Sequence, residues 1–364
     1  MHKIAIFQSD LRVGGIQKAL LNTLNEIDYN LCEVHVFLYD EEAFFDAPER
    51  KNLHFHFSKP FFYAARLTPF KILRRLPRFS PSNILSRFSP EVDPDIVYDV
   101  AVDFNSYRNE CAVGALSVRA KKRVMWIHND MEMKIRGEPK YRILWHFFKA
   151  KFQYFDEFVA VSPGIIEGFR RKTGLRDKKV TAIPNHVDTR EIFEKVGKEI
   201  SFRVDPNCYN LCTMGRLCHQ KGFDILLGFM AQVAPARPDM RLYILGDGPD
   251  RAKLEAQIRR LKLGGVVTLL GNQKNPFPYL DRMDGFVLTS RYEGQGIVIW
   301  EAKALGLELF ISKNLEKYNP GVDGREDLPK ALISAQKHEK IRDELEGYNK
   351  KISQSINELL ELDK

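Results

Sequence analysis

The sequence predicts an α/β protein made of two doubly wound parallel sheets that face each other across a cleft. Three observations lead to this class. Short apolar runs of strand length alternate with segments of helical periodicity along most of the chain. The alternation starts again with a new strand at residues 210–214. A chain of 364 residues is also long for one hydrophobic core and suits two domains.

The first domain is predicted to begin with a strand, a glycine loop and a helix. Its strands are expected at residues 3–8, 33–39, 96–103, 123–127, 158–161 and 180–183. Ligands of such sheets bind at the carboxyl ends of the strands. Gly14 and Gly15, which follow the first strand, are therefore expected to line the cleft, although an ordinary tight turn explains the pair almost as well.

The second domain is predicted to alternate cleanly between strands and helices. Strands are expected at residues 210–214, 242–245, 266–270 and 286–288, and helices at 223–233, 250–261, 276–283 and 297–305. The segment from Leu328 onward is charged and helical in pattern, with these apolar contacts: Ile341, Leu345, Ile352, Ile356 and Leu359.

The predicted domain boundaries follow from these elements. Residues 1–198 form the first domain, which ends in a charged linker, and residues 199–337 form the second. Residues 338–364 are expected to form a C-terminal helix that crosses back to the first domain.

Composition argues against several classes of protein. No apolar run approaches the roughly 18 residues that a membrane span needs, and the N-terminus enters a strand pattern directly, without the features of a secretion signal. The five cysteines are odd in number and lack paired metal-ligand spacing. We therefore expect reduced thiols in a cytoplasmic protein, acting in part at the inner face of the cell membrane.

A basic segment interrupts the first domain. It contains aromatic side chains, no acidic residue and seven basic residues: Lys59, Arg66, Lys71, Arg74, Arg75, Arg78 and Arg87. Four of them recur three or four positions apart on a predicted helix after Pro69 and form one stripe. Such a stripe suits an anionic membrane. The alternative is a solvated basic flank, and nucleic acid is less expected because no reader motif accompanies the charge.

The most informative stretch is residues 289–301. A buried strand breaks into a glycine loop, and a helix begins at Ile297. Amides at a helix start suit a phosphate, and glycines let the backbone approach it closely. Glu293 and Glu301 bracket this loop with seven residues between them, so both carboxylates can reach one ligand.

A second loop, at residues 214–222, carries Arg216 and Lys221 between a strand end and a helix start. Fixed positive groups at such a position can stabilise the charge that develops on a departing phosphate. The alternatives are surface charge for these two residues, a solvated turn carboxylate for Glu293 and a helix-surface residue for Glu301.

These motifs, together with residues 13–16, 159–162, 183–185 and 245–249 in the same order, resemble the retaining glycosyltransferases of family 4. The resemblance spans roughly residues 3–306. It implies the GT-B architecture of two Rossmann-like domains, a nucleoside-diphosphate sugar as donor, with UDP favoured over GDP, and no metal or other cofactor. After Gly306 the match weakens, because Glu308 stands where the family usually has proline.

The resemblance also implies roles for individual residues. Glu293 orients the hydroxyls of the donor sugar, Glu301 accepts the ribose hydroxyls, and His128, after a first-domain strand, faces the sugar. A hydrogen-bonded turn histidine is the alternative for His128. The remaining donor contacts are expected from Gly15, Gly215, Arg216, Lys221, Gly294, Gln295, Gly296 and Ile297.

The expected reaction transfers a hexose to a saccharide or lipid-linked saccharide in bacterial surface-polysaccharide synthesis. Two other classes remain open. One is a nucleotide-sugar epimerase of related fold, which would lack an acceptor site. The other is a noncatalytic protein that binds nucleotide sugars or anionic surfaces.

Overall fold

A seven-stranded parallel sheet organises the first part of the chain. The structure, a computed structural model, describes residues 1–57, 92–200 and 203–362. The strands are β1 (His2–Gln8), β2 (Cys32–Leu38), β3 (Leu53–Phe57), β4 (Val97–Asp103), β5 (Arg119–Ile127), β6 (Glu157–Ala160) and β7 (Lys179–Ala182). Their order is β3-β2-β1-β4-β5-β6-β7, so the direction of winding reverses between β1 and β4.

The strands of this sheet are buried because helices cover a doubly wound sheet on both faces. Ile4, Ala5, Ile6 and Phe7 of β1 are at most 2% exposed. The helices numbered here are those of the described residues: α1 (Gly15–Asn25), α2 (Asn109–Ser117), α3 (Met131–Gly137), α4 (Pro139–Phe148) and α5 (Ile166–Thr173). Short 3₁₀ turns cover Lys149–Tyr154 and Pro163–Ile165.

A five-stranded parallel sheet organises the second part. Its strands are β8 (Tyr209–Met214), β9 (Met240–Leu245), β10 (Val267–Gly271), β11 (Gly285–Leu288) and β12 (Glu308–Ile311), in the order β10-β9-β8-β11-β12. The helices are α6 (Thr189–Lys195), α7 (Phe223–Val233), α8 (Arg251–Arg260), α9 (Phe277–Leu280), α10 (Ile297–Ala304) and α11 (Leu328–Ser334). A further helix, α12 (Glu346–Leu360), begins in this part and lies mostly in the first. The 3₁₀ turns are His219–Lys221 and Lys313–Tyr318.

The second core forms where α7 packs on this sheet. Leu226 and Met230 recur one helical turn apart on the face of α7 that is fully buried, together with Leu211, Leu242 and Ile244 of the strands. The two doubly wound sheets confirm the predicted fold class.

The chain divides into two compact units. One consists of Met1–His186 together with Asn349–Lys364, and the other is Val187–Tyr348. Within the first unit, Ser353 of α12 donates a hydrogen bond to Glu26 over 2.8 Å. The predicted boundary after Lys198 lies later in the chain than this division, and part of the predicted charged linker forms α6 in the second unit.

Three local predictions are corrected. The edge strand β3 was missed. The segment after Leu328 is not continuously helical, because residues 335–345 separate α11 from α12. Ile341 lies in this irregular part and is 82% exposed rather than packed, whereas Leu345, Ile352, Ile356 and Leu359 are buried as predicted.

One further local prediction is confirmed, because the five cysteines are free thiols. No helix of the described residues is long and apolar enough to cross a membrane. The basic segment from Lys59 to Arg87 lies outside the described residues.

Candidate active site

The loops of greatest interest leave the second sheet where its winding reverses. Strands β8 and β11 are neighbours there, with Gly285 beside Leu211 and Phe286 beside Cys212. The two strands are parallel, so the loops that follow them emerge at the same edge. Crevices at such a reversal are the general ligand sites of open α/β sheets. Both motifs that the sequence singled out, residues 214–222 and 289–301, follow these strands.

The loop after β8 is held by close backbone contacts. Gly222 has φ +66° and a Cβ there would collide with the carbonyl oxygen of Thr289, whose hydroxyl donates to the Gly222 carbonyl over 3.0 Å. Gly246, after β9, has φ +133° and lies against the carbonyl of Gly215. Only glycine accepts both the left-handed backbone and the close approach. These contacts fix the positions of Gly215 and Lys221.

Lys221 and Glu293 form an ion pair that joins the two loops. The Nζ of Lys221 lies 2.6 Å from Oε1 of Glu293, which also accepts the Ser290 hydroxyl over 2.7 Å. Gln220 donates from Nε2 to the Tyr292 carbonyl over 3.1 Å. Glu293 is 4% exposed, so it is not the solvated turn carboxylate of the alternative interpretation. The cation and the carboxylate therefore stand side by side at the sheet edge.

Two backbone amides at the start of α10 have hydrogen-bond partners within the chain. The amide of Gly296 donates to Oδ1 of the buried Asn319 over 3.0 Å, and the amide of Ile297 donates to the Gln295 carbonyl over 3.2 Å. These two amides already have partners within the chain, because Asn319 reaches the loop from the turn after β12. The donor contacts of the residues from Gly294 to Ile297 stay predictions.

Glu301 lies one helical turn further along α10. It is 4% exposed, which rules out the alternative of a helix-surface residue. Beside it, Trp300 stacks on Tyr348 with a ring-centre distance of 4.1 Å, and the Tyr348 hydroxyl accepts a hydrogen bond from Gln295 over 2.7 Å. Tyr348 thus supports both the glycine loop and the helix that carries Glu301.

Arg216 has a different environment from Lys221. It is exposed, and among the described residues its side chain makes neither an ion pair nor a hydrogen bond. Its neighbour in sequence, Leu217, is fully buried and exchanges backbone hydrogen bonds of 3.0 Å with Asp247 and Asp250. The backbone of this loop is therefore fixed while the guanidinium group remains available to a ligand.

Arg291 anchors the glycine loop from its outer side. Its guanidinium binds both carboxylate oxygens of Asp224 on α7 at 2.8 and 2.6 Å, and its backbone amide donates to the Gln220 carbonyl over 2.8 Å. The bidentate ion pair lowers the pKa of Asp224. Both contacts hold the loop after β11 against the loop after β8.

His128 and Gly15 lie in the first unit. His128 directly follows β5, and its ring packs against Phe104 at 4.8 Å. Burial lowers the pKa of His128 to about 3, although a hydrogen bond to the backbone of Phe104 acts in the opposite direction. Nε2 is buried and has no hydrogen-bond partner among the described residues. The imidazole is therefore neutral near pH 7 and keeps one ring nitrogen for a ligand.

Gly15 begins α1, after the loop that follows β1. A Cβ at this position would meet nothing within 4 Å, so the space around it is open. Gly14 has an extended backbone, with φ 171°, that any residue can adopt. Neither glycine is required by backbone conformation, and the donor contact of Gly15 stays a prediction.

Sequence reasoning missed four supporting residues: Gln220, Ser290, Asn319 and Tyr348. The first two stand within the recognised motifs, next to Lys221 and close to Glu293, so the motifs contained a signal for them. Asn319 and Tyr348 lie in segments without a recognisable pattern. Their roles depend on contacts across 23 and 53 positions of sequence, which only the fold brings together.

Comparison with known proteins agrees with this geometry. A family model described as Glycosyltransferase Family 4 matches residues 13–191, and one described as Glycosyl transferases group 1 matches residues 208–344. The chain belongs to the family 4 glycosyltransferases with the GT-B fold.

Individual relatives extend the comparison. An uncharacterized glycosyltransferase of Methanocaldococcus jannaschii is 26% identical over 254 residues, which are 66% of this chain and 59% of the relative. The N-acetylgalactosamine-N,N'-diacetylbacillosaminyl-diphospho-undecaprenol 4-alpha-N-acetylgalactosaminyltransferase of Campylobacter jejuni is 25% identical over 311 residues, 84% of this chain and 79% of the relative. The crystal structure of Anabaena HepE with UDP and glucose matches with a TM-score of 0.63 at 17% identity, covering 99% of this chain and 95% of HepE.

Proposed function

We propose that the protein is a retaining, metal-independent glycosyltransferase that moves a sugar from a nucleoside-diphosphate sugar to a saccharide or lipid-linked saccharide. The observation that carries this proposal is the pairing of Lys221 with Glu293 at the reversal of the second sheet. There, a cation suited to phosphate stands beside a buried carboxylate suited to sugar hydroxyls. A donor that contains both groups fits this arrangement.

The proposed reaction breaks the bond between the anomeric carbon and the diphosphate oxygen and forms a bond to an acceptor hydroxyl on the same face. The acceptor's proton passes to the departing phosphate oxygen. Negative charge develops on that oxygen, and Arg216 and Lys221 stabilise it. Each charge-assisted hydrogen bond contributes roughly 1.5–3 kcal/mol. No covalent intermediate is needed.

The carboxylates and the histidine position the donor. Glu293 orients the sugar hydroxyls, Glu301 accepts the ribose hydroxyls, and neutral His128 offers Nε2 to the sugar. Because Lys221 contacts Glu293 directly, donor binding would share the ammonium group between the carboxylate and a phosphate. The pair then holds both groups in place before the donor arrives, which limits the reorganisation needed during the reaction.

The relatives suggest the chemistry of the substrates. HepE was crystallised with UDP and glucose, which favours a UDP-sugar donor. The Campylobacter enzyme is named for a saccharide carried on diphospho-undecaprenol, which favours a lipid-linked acceptor. We extend both features to this chain as parts of the proposal.

A panel of UDP- and GDP-sugars, each with and without saccharide acceptors, tests the proposal. We expect release of nucleoside diphosphate from one donor, accelerated by an acceptor, and a product whose anomeric configuration by NMR equals that of the donor. EDTA should leave the initial rate unchanged at temperatures where the protein stays folded. An inverted product contradicts retention. Conversion of the donor to its epimer without acceptor supports the rival activity.

We also propose that the basic segment brings the enzyme to its acceptor on an anionic membrane surface, from the cytoplasmic side. Each basic residue near such a surface contributes roughly 1 kcal/mol, and salt screens the attraction. Replacing Lys71, Arg74, Arg75 and Arg78 by glutamine should reduce sedimentation with anionic vesicles while donor hydrolysis persists. Equal sedimentation of wild type and variant would identify the segment as a solvated flank.

A further inference from the structure

One face of the edge of the first sheet carries a histidine cluster that the proposed chemistry does not use. Glu33 and His35 stand two positions apart on β2 and share a face, since side chains alternate along a strand. In the parallel register His35 lies beside His54 of β3, and Phe37 beside His56. Strand pairing therefore brings a carboxylate and three imidazoles together on a rigid part of the fold.

The distances within the cluster are those of metal ligands. Oε1 of Glu33 lies 3.3 Å from Nε2 of His35 and 3.4 Å from Nε2 of His54, and the three atoms all lie within 4.8 Å of one another. Nitrogen and oxygen ligands bind Zn²⁺ at about 2.0–2.2 Å, which places neighbouring ligand atoms of a tetrahedron about 3.3–3.5 Å apart. Two of the three distances between ligand atoms, from Oε1 of Glu33 to Nε2 of His35 and of His54, thus already have the length that a bound ion requires.

The side chain of His35 carries a buried ring nitrogen that lacks a hydrogen bond. The residue is 7% exposed, and Nε2 has no hydrogen-bond partner among the described residues although the Glu33 carboxylate is near. The other nitrogen, Nδ1, lies 2.9 Å from Nε2 of His56. If Nδ1 donates to His56, Nε2 keeps its lone pair and points at the cluster centre. A hydrogen bond from the distal nitrogen is how proteins orient metal-binding histidines.

The two oxygens of the Glu33 carboxylate have different neighbours. Lys3 approaches only the second oxygen, Oε2, at 3.5 Å. Oε1 therefore remains oriented toward the histidines.

Aromatic packing holds the cluster in place and leaves it accessible. The ring of His35 stacks on His56 at 5.0 Å and meets the edge of Tyr98 at 5.5 Å. The side chain of His54 is 44% exposed, which gives an ion a path from solvent. Its exposure also leaves room for a water molecule as a further ligand.

We propose that Glu33, His35 and His54 bind a first-row transition-metal ion of the Zn²⁺ type, with His56 as the residue that orients His35. Two imidazoles and one carboxylate form a donor set that suits Zn²⁺ better than Mg²⁺ or Ca²⁺, which prefer oxygen ligands. The ion would join β3, the edge strand, to β2. Its role is structural and lies outside the proposed transfer chemistry, so a failure of either proposal leaves the other intact.

Metal binding to the full chain tests this site directly. After chelation and dialysis, Zn²⁺ is titrated calorimetrically and Co²⁺ by its visible absorption spectrum, which reports four-coordination. We expect one equivalent per chain. His54→Ala and Glu33→Gln should weaken binding at least 100-fold and His56→Ala about 10-fold, in line with the loss of a ligand or of an orienting partner. The control is His146→Ala, an exposed histidine on α4 that should bind as the wild type.

Two outcomes would overturn the proposal. One is the absence of stoichiometric binding by the wild type, in which case the cluster binds protons only. The other is unchanged affinity in both His54→Ala and Glu33→Gln, which would place the bound metal on unrelated surface groups. Circular dichroism of each variant, recorded without metal, separates a lost ligand from a lost fold.

Discussion

The two sheets reverse their winding at equivalent places, yet the polar side chains there are hydrogen-bonded to different extents. At the second reversal, Lys221 and Ser290 both bind the Glu293 carboxylate. At the first, Gln8 ends β1 and Asp103 ends β4, and both are fully buried. The first reversal also collects polar atoms without a hydrogen-bond partner among the described residues: Gln8 Nε2, Asp103 Oδ2, Asn105 Oδ1 and Ser106 Oγ.

The difference in hydrogen bonding indicates what kind of ligand each reversal can bind. Buried polar atoms in native proteins are nearly always satisfied, by protein, ordered water or ligand. At the second reversal, Lys221 and Glu293 satisfy each other's charges, whereas the exposed Arg216 remains available to a ligand. At the first, Asn105 donates to Gln8 over 3.0 Å and to Asp103 over 2.9 Å, and the remaining buried polar atoms suit water or a ligand with hydroxyl groups. Burial raises the pKa of Asp103 to about 7 despite the opposing charge of Lys151, so this carboxyl group can donate as well as accept.

Removing the cation from the second reversal should have the largest effect. Lys221→Ala removes the charge that we propose stabilises the transition state, so we expect turnover to fall at least 100-fold. It also leaves Glu293 buried without its cation. Breaking a fully buried pair costs about 3–5 kcal/mol, but the Lys221 side chain is 20% exposed, so we expect about 1–3 kcal/mol less stability toward urea.

A compensating double variant separates the loss of stability from the loss of activity. Glu293→Gln combined with Lys221→Met should recover much of the stability lost in Lys221→Ala but none of the activity. Lys253→Ala is the control, because this lysine on α8 is 82% exposed in its side chain and should affect neither quantity. Turnover of Lys221→Ala equal to that of the wild type would show that the second reversal takes no part in the reaction.

Arg216→Ala should lower turnover without a loss of stability, since its side chain is exposed.

The two glutamates of the second reversal should separate binding from rate. Glu301→Ala removes the predicted partner of the ribose, which is held equally in the ground and transition states, so we expect donor affinity to fall about 10-fold or more. Glu293→Ala should chiefly lower kcat. Donor titration by calorimetry, combined with turnover, measures both. The opposite order would exchange the roles of the two carboxylates.

The sequence was informative where the signal is local. Apolar runs predict buried strands, so four of the five strands of the second sheet, β8 to β11, were placed within a few residues. Strand β3 escaped because Leu53–Phe57 contains two histidines and is only partly buried, and an edge strand with such residues gives no apolar run. The pattern that put Ile341 in a helix was equally local, and nothing near it in sequence shows that the chain is irregular there.

Contacts between distant positions were beyond the sequence. Both Lys221 and Glu293 were recognised, but their pairing spans 72 positions and depends on β8 lying beside β11. The engagement of the Gly296 amide by Asn319 is another case. A glycine loop before a helix predicts amides that suit a phosphate, and only the fold reveals that a buried side chain already accepts one of them.

The first unit should respond to acid through His128. Its pKa is about 3 in the folded protein and near 6.5 when unfolded, so below pH 6.5 the unfolded chain binds the proton first. Stability is therefore full above pH 6.5 and decreases as the pH falls toward 3, by at most about 1.4 kcal/mol per pH unit. His128→Gln should flatten this dependence in urea unfolding between pH 4.5 and 7. An unchanged slope would assign the acid sensitivity to other groups.

The smallest effect is expected from substitutions of Tyr348, which contacts both the glycine loop and the helix of Glu301 at the second reversal. Tyr348→Phe removes the acceptor of the 2.7 Å hydrogen bond from Gln295 but keeps the ring that stacks on Trp300. A single neutral hydrogen bond contributes about 0.5–1.5 kcal/mol, so donor affinity should fall only a few-fold. Tyr348→Leu removes the stacking as well and should weaken donor binding further, because both the glycine loop and the helix of Glu301 lose their common support. Calorimetric titration of the donor into both variants measures this series. If both variants instead bind the donor as tightly as the wild type, Lys221, Glu293 and Asn319 organise the second reversal without Tyr348. The contrast with the first reversal would in that case depend on fewer residues than the contacts of Tyr348 suggest.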